Sequence, residues 1–302
     1  MMSFSMKNVA IVGLGRWGKN LLREFSRISN IEICHSTGNV ENIEWLRKNF
    51  PKVKHTKNFH DVLNNNSIDA VVISTPIKTH FHLTYQALLA GKHVFIEKPM
   101  AENSSYAKKL ILLAKEKKVL LFVGHVFLYH PVLEKVRAIN SKESINYLKF
   151  SWTKLGSFKE DILLDLLSHF ISIIIELLGT PQSLRIIDIE RIVSSYDIVT
   201  MEFRFNKGRK CIVDINRASN FKKRSITIVT AKNVLEWEDD ILYKFNKKTF
   251  SYDLILNPKK TPLTVECETF IDSLNKRINY MNADKALKII QLVEKCKKMI
   301  EK

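Results

Sequence analysis

A chain of 302 residues with 45% apolar and 26% charged residues is long enough for two domains with their own cores, and its composition excludes disorder, collagen and disulfide scaffolds. The 48 basic and 31 acidic residues leave a net charge of +17, a field that attracts acidic substrates, although a general richness in Lys, Asn and Ile accounts for most of it. No Lys/Arg block with interleaved aromatics is present, so nucleic-acid binding is not expected. The four cysteines lack CxxC spacing and read as reduced thiols, and His55, His60, His82 and His93 form no metal constellation, so no metal is expected. Up to Val123 short apolar runs alternate with helical stretches. The strand candidates are Val9–Val12, Ile31–His35, Val53–His55, Ala70–Ser74, His93–Ile96 and Val119–Val123. Between them Trp17–Ile28, Glu41–Asn49, Phe59–Asn64, His80–Ala90 and Ser104–Lys117 read as crossover helices. This is the rhythm of a doubly wound parallel sheet.

After Gly124 the alternation stops. A short helix over Pro131–Ala138 precedes a strand at Tyr147–Thr153 and a long apolar helix over Ile162–Leu178, which Gly179 and Pro181 terminate. Successive strands follow from Ser183 to about Leu254, with a turn at Asn206-Lys207-Gly208, and helices over Val265–Ile278 and Ala283–Ile300 close the chain. The fold class is therefore α/β: an N-terminal Rossmann domain over residues 1–123, and an α+β domain over 124–302 with a large, mainly antiparallel sheet. The apolar stretch Ile162–Leu178 carries Asp165, His169 and Glu176 and is too short and polar to span a bilayer. The chain enters its first strand without a signal peptide. A cytoplasmic protein is expected.

Gly13-Leu14-Gly15-Arg16-Trp17-Gly18 follows the first strand and opens the first helix, the context in which GxGxxG binds a dinucleotide. The glycines serve the tight turn, the approach of pyrophosphate to backbone, and close helix–strand packing. At the end of the second strand, Cys34-His35-Ser36-Thr37 offers no carboxylate for the adenosine ribose. Ser36 and Thr37 can donate to either a 2′-hydroxyl or a 2′-phosphate, and Arg16 can supply charge or pack on adenine. The cofactor is NAD or NADP. Lys98 falls just past a parallel strand, where open α/β sheets bind ligands. Asp165 and His169, four apart, share one helical face within the most apolar helix of the chain, where polar groups need a reason.

The run Ala90-Gly91-Lys92-His93-Val94-Phe95-Ile96-Glu97-Lys98-Pro99, preceded by Ser74-Thr75-Pro76 and His80, resembles the glucose–fructose oxidoreductase/inositol dehydrogenase (Gfo/Idh/MocA) family. Gly124-His125 through Tyr129-His130-Pro131, the Asp165-x-x-x-His169 helix, and Pro262-Leu263 before Glu266 and Phe270 extend the resemblance over nearly the whole chain. The start Gly15-x-Trp17-Gly18-x-Asn20 is similar to the branch that oxidises nucleotide sugars for surface polysaccharides.

The resemblance implies His169 as general base, Asp165 as its partner at a neighbouring hydroxyl, and Lys98 bonded to the reacting oxygen and the nicotinamide ribose. It also implies a cis Lys98–Pro99 bond. Cofactor contacts are expected from Gly13, Gly15, Arg16, Trp17, Gly18, Ser36, Thr37, Ser74, Thr75, Pro76, His80, Glu97 and Lys98. Substrate contacts are expected from Lys98, His125, Tyr129, Lys154, Asp165, His169 and Arg217. Lys222-Lys223-Arg224 reads either as a diphosphate grip or as a solvated strand end. The partner is a small-molecule sugar, with no nucleic acid or membrane, and association as a homodimer or homotetramer through the second-domain sheet. The leading expectation is a nucleotide-sugar or sugar-acid dehydrogenase. An inositol or free-sugar dehydrogenase and a non-catalytic nicotinamide-binding regulator are the alternatives.

Overall fold

The computed structural model describes residues 6–156, 158, 161–276 and 278–301. Contacts divide the chain into two units. One runs through Val126 and resumes over Leu263–Gln291; the other comprises Phe127–Pro262 and the chain from Leu292 onward.

The first unit is built on six parallel strands: β1 (Asn8–Val12), β2 (Asn30–His35), β3 (Lys54–Thr56), β4 (Ala70–Ile73), β5 (His93–Glu97) and β6 (Leu121–Gly124). Their order is β3-β2-β1-β4-β5-β6. All six match the strands expected from the apolar runs to within two residues at either end. Helices α1 (Arg16–Phe25), α2 (Val40–Asn49), α3 (His60–Leu63), α4 (Ile77–Leu89) and α5 (Ser104–Lys117) connect them. The central strand β4 is buried at every position, as expected of a parallel strand covered on both faces. Asn39 and Asn103 cap α2 and α5 by accepting backbone N–H bonds. The strand order reverses between β1 and β4, which opens a crevice at their carboxyl ends.

The second unit contains helices α6 (Pro131–Asn140) and α7 (Ser168–Leu178), and eight strands. These are β7 (Ile145–Leu155), β8 (Ser183–Glu190), β9 (Ile198–Arg204), β10 (Lys210–Asn216), β11 (Ala218–Thr230), β12 (Val234–Glu238), β13 (Ile241–Asn246) and β14 (Ser251–Leu256). They form one sheet in the order β14-β13-β12-β11-β7-β10-β9-β8. Every pairing is antiparallel except β7 with β10. Period-two alternation places Leu148, Phe150, Ile226 and Ile228 on the face that packs against α7, where the Phe150 and Phe170 rings lie 4.7 Å apart.

The expected single helix over Ile162–Leu178 instead opens with a widened π turn at Leu163–Leu167, where the Ser168 N–H reaches back to the Leu163 carbonyl. Helices α8 (Pro262–Leu274) and α9 (Met281–Ile300) close the chain. Phe270 of α8 packs edge-on to Phe25, Phe95 and Phe122 of the first unit, and Ala283, Ala286 and Ile290 of α9 join that unit's core. Among the described residues no helix is long and apolar enough to cross a membrane.

Candidate active site

The fingerprint loop sits at the strand-order reversal. Gly13 has φ of +99°, and a Cβ there would stand 2.8 Å from the Ser74 carbonyl oxygen. At Gly18 a Cβ would meet the Gly13 oxygen at 2.1 Å, so any side chain would push α1 off the loop. A Cβ on Gly15 would meet nothing within 4 Å, leaving its backbone open to approach. Gly15 also stands at the N-cap of α1 with no side-chain bond to the first-turn N–H groups, unlike the Asn-capped α2 and α5. A helix start with unclaimed donors and an open glycine fits a dinucleotide pyrophosphate. Arg16 is exposed and Trp17 partly so beside it.

Ser74 donates from Oγ to the Gly13 carbonyl, which ties the end of β4 to the loop at 3.2 Å. Thr75 and Pro76 follow at the crevice and Pro76 caps α4. His80 is buried, with Nε2 at 2.7 Å from the Thr75 oxygen and Nδ1 at 2.8 Å from the Pro99 oxygen. Its ring therefore clamps the β4 turn to the segment after β5, and burial holds its pKa below the usual histidine value. The Lys98–Pro99 peptide is cis. At the end of β2, Ser36 is buried and its Oγ accepts the Gly38 N–H at 3.3 Å, while Thr37 is exposed.

Glu97 ends β5, and its Oε1 accepts the indole N–H of Trp17. Burial pushes its carboxyl up to about 7 against the opposing pull of the Trp17 bond and the Lys98 charge. Glu266 of α8 is 0% exposed, and neither of its carboxyl oxygens has a partner among the described residues. Burial and the charge of Glu97 raise its pKa well above the carboxylate range. His125, one residue past β6, is 1% exposed with neither ring nitrogen partnered among the described residues. Burial, aided by the Lys98 and Lys285 charges, lowers it to about 3. A neutral imidazole remains, with one donor and one acceptor awaiting a ligand.

In the second unit Asp165 lies within the π turn and His169 in the first turn of α7. Both are half-buried in a stretch whose other residues are mostly buried. The His169 ring stands edge-on to Phe127 at 4.9 Å and tilted to Trp152 at 5.8 Å. Lys154 places Nζ 5.3 Å from the Trp152 ring centre, and Tyr129 is half-buried at the end of the 3-10 turn Val126–Tyr129. An imidazole in contact with two aromatic rings, one of which also carries a lysine ammonium, can accept a hydroxyl proton while the rings hold a sugar face.

Arg217 is placed differently from the other substrate-facing candidates. It is 4% exposed. Its Nε donates to Asp197 Oδ1 at 3.1 Å, and Nη2 donates to Ser194 Oγ and to the Tyr196 carbonyl at 2.8 Å. Asp197 Oδ2 in turn accepts the N–H groups of Ile192, Val193 and Ser194. Burial opposes ionisation of Asp197, but the Ser194 hydroxyl and these N–H groups outweigh it and hold the carboxyl well below its usual range. The pair supports the β8–β9 connection.

Trp152 and Phe127 are not among the residues the sequence points to, and Glu266 enters there only as part of the closing-helix motif, not as a site residue. The alternation Phe150-x-Trp152-x-Lys154 on one strand face was the available signal for the first. Glu266 offered only a carboxylate amid apolar helix positions. Among the described residues no three His, Cys, Asp or Glu side chains gather as a metal site.

Residues 7–125 match the family described as "Oxidoreductase family, NAD-binding Rossmann fold". UDP-N-acetylglucosamine 3-dehydrogenase from Acidithiobacillus ferrooxidans is 29% identical over 144 residues, 47% of this chain and 46% of that protein. The NADP(+)-dependent scyllo-inositol 2-dehydrogenase of Bacillus subtilis is 29% identical over 154 residues, 46% of this chain and 43% of that protein. The chain thus spans about half the length of the curated relatives it matches. The solved structure of the Acidithiobacillus enzyme superposes with a TM-score of 0.88 at 20% identity, covering 97% of each chain, a likeness of fold.

Proposed function

We propose that this chain, whose residues 7–125 match the NAD-binding Rossmann oxidoreductase family, is a Gfo/Idh/MocA-type NAD(P)-dependent oxidoreductase that transfers a hydride to or from a secondary alcohol carbon of a sugar. The substrate is a nucleotide sugar or a sugar acid, used in surface-glycan synthesis by a cytoplasmic homodimer or homotetramer. The observation that carries this reading is the open fingerprint loop on a sheet whose next crevice strand ends in Glu97-Lys98. The similarity to the UDP-N-acetylglucosamine 3-dehydrogenase supports the nucleotide sugar. The scyllo-inositol 2-dehydrogenase supports a second reading, a free polyol.

Gly13, Gly15, Gly18 and the first turn of α1 would hold the pyrophosphate, with Ser74, Thr75 and Pro76 beside it. The bound nicotinamide supplies the hydride acceptor or donor. Removing a hydride from an alcohol carbon requires the hydroxyl proton to leave as well. His169 takes that proton. Asp165 bonds the neighbouring hydroxyl and fixes the sugar against the imidazole. Lys98 donates to the reacting oxygen and stabilises its developing negative charge. His125 offers a neutral donor and acceptor to the same ligand.

The test is a titration with NADH and NADPH, followed by energy transfer from the tryptophans, then a turnover screen of nucleotide sugars, sugar acids and inositols. Lys98→Ala is expected to bind cofactor within about threefold of wild type and to lose about 10²-fold or more in turnover. Folded protein that binds neither cofactor at sub-millimolar concentration would sink the reading.

A further inference from the structure

Two neighbouring strands of the second unit change character along the same face. On β7 the inward positions run Leu148, Phe150, Trp152, Lys154; on β11, paired antiparallel, Ile228, Ile226 and Arg224 stand opposite the first three. The apolar core of that face therefore gives way to an indole, a guanidinium and an ammonium. The guanidinium carbon of Arg224 lies 4.8 Å from the Phe127 ring centre and 5.8 Å from that of Trp152. Those are the two rings that wall His169. The adjacent Lys223 points to the opposite face and pairs with Glu238 at 3.6 Å. Within the run Lys222-Lys223-Arg224, Lys223 is thus turned toward Glu238 and solvent and Arg224 toward the aromatic wall.

Arg224 is fixed from one side. Nη2 donates to the Asp239 carbonyl and to Asp240 Oδ1, the latter at 2.8 Å. Asp240 is itself held by His130, whose Nδ1 accepts the Val132 N–H and whose Nε2 lies 3.0 Å from the carboxylate. Among the described residues both side-chain bonds of the guanidinium leave from Nη2, so the Nε and Nη1 hydrogens are available to a ligand. Asp240 offsets part of the charge, and Lys154 over the same indole restores a net positive field. An arginine stacked on aromatic rings, oriented by a carboxylate and keeping free donors, suits an oxyanion ligand.

We propose that Arg224, with Lys154 above the Trp152 plate, forms the subsite that receives an anionic group of the sugar, a phosphate or a carboxylate, beside His169. This rests on the sugar oxidoreductase reading and names what selects its substrate. The anion is a group of the sugar that takes no part in the hydride transfer. Arg224 is therefore a binding residue whose loss raises KM rather than lowering kcat.

The experiment measures binding of UDP and of glucuronate, each alone, to wild type, Arg224→Gln and Arg224→Lys by calorimetry, alongside steady-state kinetics on whichever sugars turn over. Thermal unfolding checks that the variants are folded. The expected result is about tenfold or greater weakening in Arg224→Gln, partial recovery in Arg224→Lys, and no change for a neutral inositol. The arm that responds, UDP or glucuronate, identifies the source of the anion. Equal binding of both probes by wild type and Arg224→Gln, or no binding of either by wild type at millimolar concentration, overturns the subsite. A neutral sugar oxidised equally well by both proteins, with neither anion bound, removes the subsite and leaves the oxidoreductase. Absence of all turnover removes that reading, while the calorimetry still decides Arg224.

Discussion

Trp17 and Glu97, 80 residues apart, are joined by an indole N–H donated to the Glu97 carboxylate, which fastens the fingerprint loop to the end of β5. Room for that carboxylate comes from Gly124, its partner in parallel register on β6. A Cβ at Gly124 would stand 3.1 Å from Glu97 Oε1 and 2.9 Å from the Phe95 ring. The charge of Glu97 adds to burial in raising the cost of charging Glu266, the second buried carboxyl of this unit, because two buried like charges repel.

Because burial lifts Glu97 to about 7, it takes up a proton as pH falls through neutrality. The bond from Trp17 then goes to a neutral acid, a weaker acceptor. Tryptophan emission of the cofactor-free protein is expected to change with a midpoint near pH 7. The change disappears in Glu97→Gln and in Trp17→Phe. A titration as large in Glu97→Gln as in wild type would assign it to another group.

Glu266 keeps its proton in the fold, whereas in the unfolded chain it ionises near ~4.3. A raised folded pKa means that the stability this group contributes is fully present below the unfolded value and is lost as pH rises from there toward the folded value. Glu266→Gln cannot ionise in either state. It is expected to match wild type near pH 4 and to exceed it by about 1–3 kcal/mol at pH 8. Urea unfolding at the two pH values checks this; a variant less stable than wild type at pH 8 contradicts it.

Arg217 and Asp197 form a buried ion pair, with side chains 5% and 0% exposed. Removing one partner strands the other charge, which costs about 3–5 kcal/mol. Arg217→Ala is expected to lower the unfolding midpoint by that measure. At temperatures where it stays folded, its KM should lie within about threefold of wild type. A normal midpoint with a greatly raised KM would instead place Arg217 in the substrate cleft.

The segment after β2, from Ser36 through the exposed Thr37 to Asn39, carries no carboxylate of its own. Thr37→Asp introduces one where dinucleotide folds place the acid that bonds a ribose 2′-hydroxyl and repels a 2′-phosphate. The variant is expected to bind NADPH at least about tenfold more weakly relative to NADH than wild type does. An unchanged NADPH to NADH ratio in the fluorescence titration would show that position 37 does not face the ribose.

The sequence by itself determined what short-range physics controls. The six strands of the first unit followed from apolar runs, their helices from the stretches between them, and the fingerprint from glycine spacing between a strand and a helix. Lys98, Asp165 and His169 were singled out because polar groups interrupting apolar elements at strand ends and on helix faces need a local reason. The tertiary structure alone decided which charges pair and which stay available. Arg217 and Arg224 are only seven residues apart in the sequence. One is enclosed by Asp197 at the end of β9's connection, and the other is turned onto Trp152 by the β7–β11 register. Glu97, Trp17 and Glu266 likewise meet only because a β-strand, a helix start and a distant closing helix pack together. Burial and pairing are sums over neighbours distant in the chain, and no local pattern encodes them.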